Sequence, residues 1–312
     1  VNFLQSLKFP AFVKGVALIL PYLAVNETAY TSKIPKVGSL AVRRWVTLLI
    51  MSLTVATAGF AQDANLKRLD TGVDARDWEA VGRLDIAGRG FCTGALIAPR
   101  LVLTAAHCLF DQTTKLRIDH GEVEFLAGWR NGRAGAYRKV RRAVVHPDYV
   151  YDGAVSSDRV RNDLALLELD RPIQNTTITP FETAARPRRG DRLGVVSYAK
   201  DRSEAPSLQE VCSVLARQEG VLVTTCSVDF GSSGAPIFTF ENGVPQIVSV
   251  VSAKAQVDGQ QVSLGTALGS PLALLQAELV AGKGVFQAPG IERKRVLAQD
   301  RRRTTGAKFV KP

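Results

Sequence analysis

From residue 79 onward the chain is cut into short apolar runs separated by Gly, Pro, Asn and Asp, a texture that predicts many short strands rather than long helices. The first group reads AVGRLDI (80–86), FCTGALIA (91–98), LVLTAA (101–106), EVEFLAG (122–128), YRKVRRAVV (137–145) and LALLELD (164–170). A Pro-rich, basic connector follows, FETAARPRRGDRL (181–193). The second group reads LGVVSYA (193–199), VCSVLA (211–216), VLVTTCSV (221–228), APIFTF (235–240), QIVSVVSA (246–253) and VSLGTALG (262–269). Two groups of about six strands predict an all-β fold of two antiparallel six-stranded barrels or sandwiches, one over 79–180 and one over 181–281. The last run, PLALLQAELV (271–280), with Pro271 in its first turn, predicts a closing helix.

The two ends differ from this body. Across the 312 residues the formal charge is +11. Residues 1–61 hold six Lys/Arg against one acid, 283–312 hold nine against two, and the span between holds 25 against 26. The body is therefore close to neutral, and its charge points to no nucleic-acid partner. The tail 282–312 has no apolar period and is expected to be disordered, with basic groups available to anionic surfaces. In VRRWVTLLIMSLTVATAGFAQ, Arg43 and Arg44 precede an apolar run from Trp45 to Ala58, and Gly59-Phe60-Ala61 supplies small residues before Gln62. That is the pattern of a secretory signal over about 42–61, with an uncleaved membrane anchor as the alternative. The stretch before it is set aside from fold reasoning, and Val42 is a candidate start. Residues 62–78 then form an N-terminal mature or pro segment.

Four cysteines, Cys92, Cys108, Cys212 and Cys226, show no CxxC spacing and no Cys/His cluster, so no metal is expected. They permit three pairings. The simplest joins each to its neighbour in sequence, which suits the oxidising compartment that the leader implies, secreted or periplasmic.

Three histidines are present. His107 stands in LTAAHC, after an apolar strand and beside Cys108; His120 lies in a polar loop, and His146 precedes a proline at a strand end. The latter two read as structural. Asp163, in RNDLALLEL, is an acid ahead of an apolar strand, costly there unless it has a partner. It reads either as a turn residue or as a carboxylate that orients an imidazole.

LTAAHC, NDLALLEL and GSSGAP, in that order, resemble the chymotrypsin-fold (trypsin-like) serine peptidases, over about residues 79–281. The resemblance implies a chymotrypsin-like pair of barrels and a Ser-His-Asp triad of Ser233, His107 and Asp163, with no cofactor. It also implies an oxyanion hole made by the N–H groups of Gly231 and Ser233, each donor contributing about 3 kcal/mol in comparable sites. Gly234 and Ala235 would keep the approach to Ser233 uncrowded. Where the family has Asp before the nucleophile, this chain has Ser232, and ARDWEAVGRLDI contains no Ile-Val-Gly-Gly junction. Both departures resemble the bacterial branch, which includes glutamyl-endopeptidase-like enzymes. They imply a site preformed after export, or one controlled by removing residues between Gln62 and about Trp78.

For the primary side-chain pocket, the family's spacing puts Ser227 at the base and Ser249, Val250 and Val251 beside the substrate backbone. Ser227 is no acid, and no histidine follows Ser233, so small or medium apolar side chains are expected. Asp229 keeps a basic preference open through a loop shift of one or two residues. The reading that follows is an exported serine endopeptidase acting on protein or peptide. The alternative is a catalytically silent relative that serves as a binding module.

Overall fold

The computed structural model describes residues 66–151, 155–184, 187–257 and 259–286. The segment expected to be a secretory signal and most of the basic tail lie outside them. In the first group of runs, strands β2 (Val81–Ile86), β3 (Phe91–Ala98), β4 (Leu101–Thr104), β5 (Val123–Ala127), β6 (Ala136–Val145) and β7 (Ala165–Leu169) close into an antiparallel barrel in the order β2-β3-β4-β7-β6-β5. The second group gives β8 (Arg192–Ser197), β9 (Ser207–Gln218), β10 (Val221–Thr224), β11 (Pro236–Glu241), β12 (Val244–Val257) and β13 (Gln260–Ala267). These run β9-β10-β13-β12-β11-β8, and the β8–β9 pairing closes the ring. The fold is therefore all-β, with two closed six-stranded antiparallel barrels.

Full closure leaves each barrel without a continuous free edge, and the strand interiors fill with branched side chains. Leu84, Leu96, Leu103, Phe125, Leu166 and Leu167 are 0–1% exposed in the first barrel. This core continues through the barrel interface into Tyr198, Phe238 and Ile247 of the second, where Leu193, Val195, Leu222, Ile237 and Val251 form a separate smaller cluster. Two disulfides join sequence neighbours, Cys92–Cys108 and Cys212–Cys226.

Two short elements fall outside the predicted runs. Strand β1 (Lys67–Arg68) adds to the outer edge of β9, and helix α1 (Ser157–Arg161) is capped by the Ser156 hydroxyl, which accepts from Arg159 N–H at 3.2 Å. Helix α2 (Gly269–Val280) is the last element among the described residues. Its Leu272, Leu275 and Leu279 recur on one face and bury against the first barrel, where Arg142 donates to the Leu279 carbonyl at 3.2 Å.

Residues 66–78 are built into the fold. Leu69 is 0% exposed, and its N–H donates to the Pro206 carbonyl at 2.9 Å. Trp78 lies in an aromatic cluster between the barrels, 5.1 Å from the Phe238 centroid and 6.0 Å from that of Phe181. The segment 62–78, expected as mature or pro sequence, thus contributes Leu69 and Trp78 to the core. Trp78→Ala is expected to destabilise the chain by about 3–5 kcal/mol, because Phe181, Phe238 and Phe240 cannot collapse into the space left. Urea denaturation checks this; a loss under about 1 kcal/mol would mean the cluster does not join the barrels.

Candidate active site

His107 follows β4 in a 3-10 turn spanning Ala106–Leu109, and the adjacent Cys108 is tied to Cys92 in β3. The turn is thereby fixed in position and its backbone faces Asp163. The His107 N–H donates to Asp163 Oδ1 at 2.8 Å, and ring Nδ1 lies 2.7 Å from Asp163 Oδ2. A carboxylate opposite Nδ1 selects the tautomer with the proton on Nδ1, which leaves Nε2 as an acceptor. The sulfurs of Cys92 and Cys108 are near this ring but are spent in the disulfide, so the three residues make no metal site.

Asp163 is 1% exposed, a costly place for a charge without partners. It has three donors. The third is the Ser252 hydroxyl, 2.5 Å from Oδ2. Ser252 was not among the residues expected. It occupies a bulge in β12, where the register with β13 shifts between Val251 and Ala253. An extra residue re-aims the strand there and turns this hydroxyl to the carboxylate. A bulge has no sequence signature that would have revealed it.

Ser233 lies on the loop between β10 and β11, whose turn is closed by Ser232 N–H donating to the Asp229 carbonyl at 2.8 Å. The loop is fastened from two sides. Thr93 of β3 donates its N–H to the Ser233 carbonyl at 2.8 Å and its hydroxyl to the Gly231 carbonyl at 2.8 Å. From β12, the Val251 carbonyl accepts Gly234 N–H at 2.8 Å. Among the described residues, the N–H groups of Gly231 and Ser233 have no protein acceptor.

Both glycines of this loop are needed by its path. Gly231 has φ +97° and Gly234 φ +77°, the left-handed region that side chains disfavour. At Gly234 a Cβ would also stand 2.1 Å from Thr104 Oγ1 and 2.3 Å from the Thr93 carbonyl oxygen. The expected reason for Gly234 and Ala235, an uncrowded approach to Ser233, is therefore corrected. Gly234 is set by the first barrel behind the loop, and Ala235 is 0% exposed in the interior.

Ser232 is fully buried. Its hydroxyl lies 3.1 Å from Ser197 Oγ and 3.2 Å from the Tyr198 carbonyl, and accepts Asp229 N–H at 3.3 Å. This neutral slot is satisfied by neutral partners and needs no cation to hold the loop's shape.

The residues assigned to the pocket divide. Ser227 is half-buried, with its N–H donating to Gln209 Oε1 at 2.7 Å. Ser249, Val250 and Val251 are only 0–2% exposed. Ser249 bonds the Thr266 carbonyl, and Val251 spends both backbone groups on Ala235 and Gly234. None of the three is free to pair with a second chain, which corrects their placement beside a substrate. Beyond Val251, one edge of β12 has no strand partner among the described residues, so the open edge begins at Ser252. Asp229 is paired with Lys254 at 2.8 Å. His120 and His146 are 8% and 7% exposed and lie apart from the Asp163 pair; burial lowers the His146 pKa below the usual imidazole value.

A family model described as Trypsin matches residues 71–266. Serine protease filzig of Drosophila melanogaster is 36% identical over 112 residues, 34% of this chain and 6% of that protein. Venom serine protease 34 of Apis mellifera is 36% identical over 84 residues, 27% of this chain and 20% of that protein. The chain thus matches only a small part of these relatives' length. Among solved structures, a Glu endopeptidase in complex with MPD superposes with a TM-score of 0.57 at 20% identity, covering 69% of this chain and 97% of that one. An inactivated protease paralogue of the scabies mite gives 0.56 at 15% identity, covering 71% and 99%. Both share the fold.

Proposed function

The chain belongs to the trypsin family, and from that premise we propose that it is an exported serine endopeptidase in which Ser233, His107 and Asp163 act as a triad. The observation that carries this reading is the buried Asp163 carboxylate on His107 Nδ1 at 2.7 Å, which leaves Nε2 able to take a proton. In the proposed reaction, Nε2 removes the Ser233 hydroxyl proton as Oγ attacks the scissile carbonyl. The imidazolium so formed is stabilised by Asp163 and returns the proton to the leaving amine. Water then attacks the acyl-enzyme by the same relay. The free N–H groups of Gly231 and Ser233 are the donors for the oxyanion of each tetrahedral intermediate.

Substrate backbone would add along the open edge of β12 at Ser252–Lys254, as an extra strand adds to any unpaired edge. Ser227 then forms the base of the side-chain pocket, and its lack of charge supports an uncharged preference. The two disulfides support export, since such bonds persist in oxidising compartments. The self-sufficient setting of Ser232 supports a site that is shaped without insertion of a new N-terminus, the property shared with the bacterial branch.

A small uncharged organophosphonate tests the reading. It is expected to modify the folded chain at Ser233, located by peptide mass mapping, and to stop hydrolysis of casein. The same fold serves an inactivated paralogue, so a folded chain that takes no adduct at Ser233 would establish the silent binding module instead.

A further inference from the structure

Ser252 and Lys254 stand two residues apart on β12, Ser252 in its bulge and Lys254 just past it. Ser252 reaches Asp163, while Lys254 reaches the loop that carries Ser233. Its Nζ lies 2.8 Å from Asp229 Oδ1 and 4.9 Å from the centroid of the Phe230 ring. Asp229 is itself anchored, because its Oδ1 accepts Phe230 N–H at 2.8 Å and its backbone N–H and carbonyl both bond Ser232. The ion pair therefore joins the open strand edge to the serine loop. The uncharged Ser227 lies two residues before Asp229 on the same loop.

We propose that the Lys254–Asp229 pair is a charge-balanced gate at the mouth of the primary pocket, which restricts the enzyme to uncharged side chains; this rests on the peptidase reading above. A basic side chain meets Lys254 before it can use Asp229, and an acidic one meets Asp229 before it can use Lys254. Neither partner is available unless the other is removed. The two side chains are 47% and 52% exposed, so the pair adds little to stability and acts through the sign of the local field. It persists at neutral pH, because Lys254 and the Phe230 N–H hold the Asp229 carboxyl below the usual range. Phe230 is 69% exposed, which leaves its ring face to fix the ammonium in place.

The test compares the full chain with Asp229→Asn, Lys254→Met and the double variant on peptides that differ only in the residue before the scissile bond: Glu, Ala, Leu or Arg. The wild type is expected to favour Ala and Leu. Asp229→Asn frees a cation and should raise the Glu-to-Ala ratio of kcat/KM about fivefold to tenfold; Lys254→Met frees an anion and should raise the Arg-to-Ala ratio similarly. Both shifts should appear in KM more than in kcat, shrink at high salt, and vanish in the double variant. Unchanged ratios in both single variants, or a wild type that already prefers Glu or Arg, overturn the gate. Phosphonate labelling of the wild type is scored separately. A labelled chain without these shifts sinks the gate alone, whereas an unlabelled one sinks it together with the peptidase reading.

Discussion

Asp163→Asn is expected to lower kcat by about 10⁴-fold while the chain still folds, the loss seen when the acid of a Ser-His-Asp site becomes an amide. The carboxylate accepts from His107 N–H, from the ring and from Ser252, and all three bonds point inward at a group 1% exposed. Asparagine fills the same volume with one acceptor oxygen and one donor nitrogen. If the oxygen keeps the His107 backbone N–H, the amide nitrogen faces Nδ1 and makes that atom an acceptor. The ring proton then moves to Nε2, where it blocks removal of the Ser233 proton. Steady-state kinetics beside a thermal melt separate the tautomer effect from unfolding. A loss below about tenfold in a folded variant would show that this contact does not orient the base.

Gly234→Ala carries the other large effect. The new methyl group would meet Thr104 Oγ1 at 2.1 Å, the Thr93 carbonyl oxygen at 2.3 Å and the Ala105 nitrogen at 3.0 Å. Two of these are backbone atoms of the first barrel and cannot swing aside. With φ at +77°, the residue also enters a region that costs a side chain about 1–2 kcal/mol. Together the terms place the variant more than about 4 kcal/mol below wild type, with phosphonate labelling lost as the serine loop is pushed from β3. Gly243→Ala is the internal control. It has φ +80° but open space around its Cβ position, so it should cost only the conformational part. Equal losses at both sites, measured by denaturant titration, would refute the steric argument.

How far the sequence disclosed this molecule depended on how local each feature is. Short apolar runs and their turn residues were sufficient for two antiparallel all-β halves, and the resemblance to the family decided for barrels over sandwiches. His107, Asp163 and Ser233 were legible through the resemblance of LTAAHC, NDLALLEL and GSSGAP to the family's motifs, and the residues beside them carry constraints of their own: Cys108 in a disulfide, Leu164 at 0% exposure, and Gly231 and Gly234 at positive φ. Ser249–Val251, expected beside the substrate, are paired on both sides, and the open edge begins one bulge later at Ser252. A bulge carries no residue signature of its own, so Ser252 and its contact with Asp163 were not legible. Strand β1 and helix α1 are too short for any period to show. The Lys254–Asp229 pair links residues 25 apart through a fold-dependent approach, and neither residue marks its partner in the sequence.

Thr93 has one further consequence. Through its N–H and hydroxyl it stitches the histidine-bearing half to the serine-bearing half at the floor of the groove, and it also accepts Tyr198 N–H at 3.1 Å and the Thr104 hydroxyl at 2.9 Å. Jaws riveted at their base do not yawn for a thick guest. On the peptidase reading, a polypeptide substrate has to supply the pliancy itself, so slack loops and unravelled stretches should yield where a stiff, well-knit surface would slide past untouched.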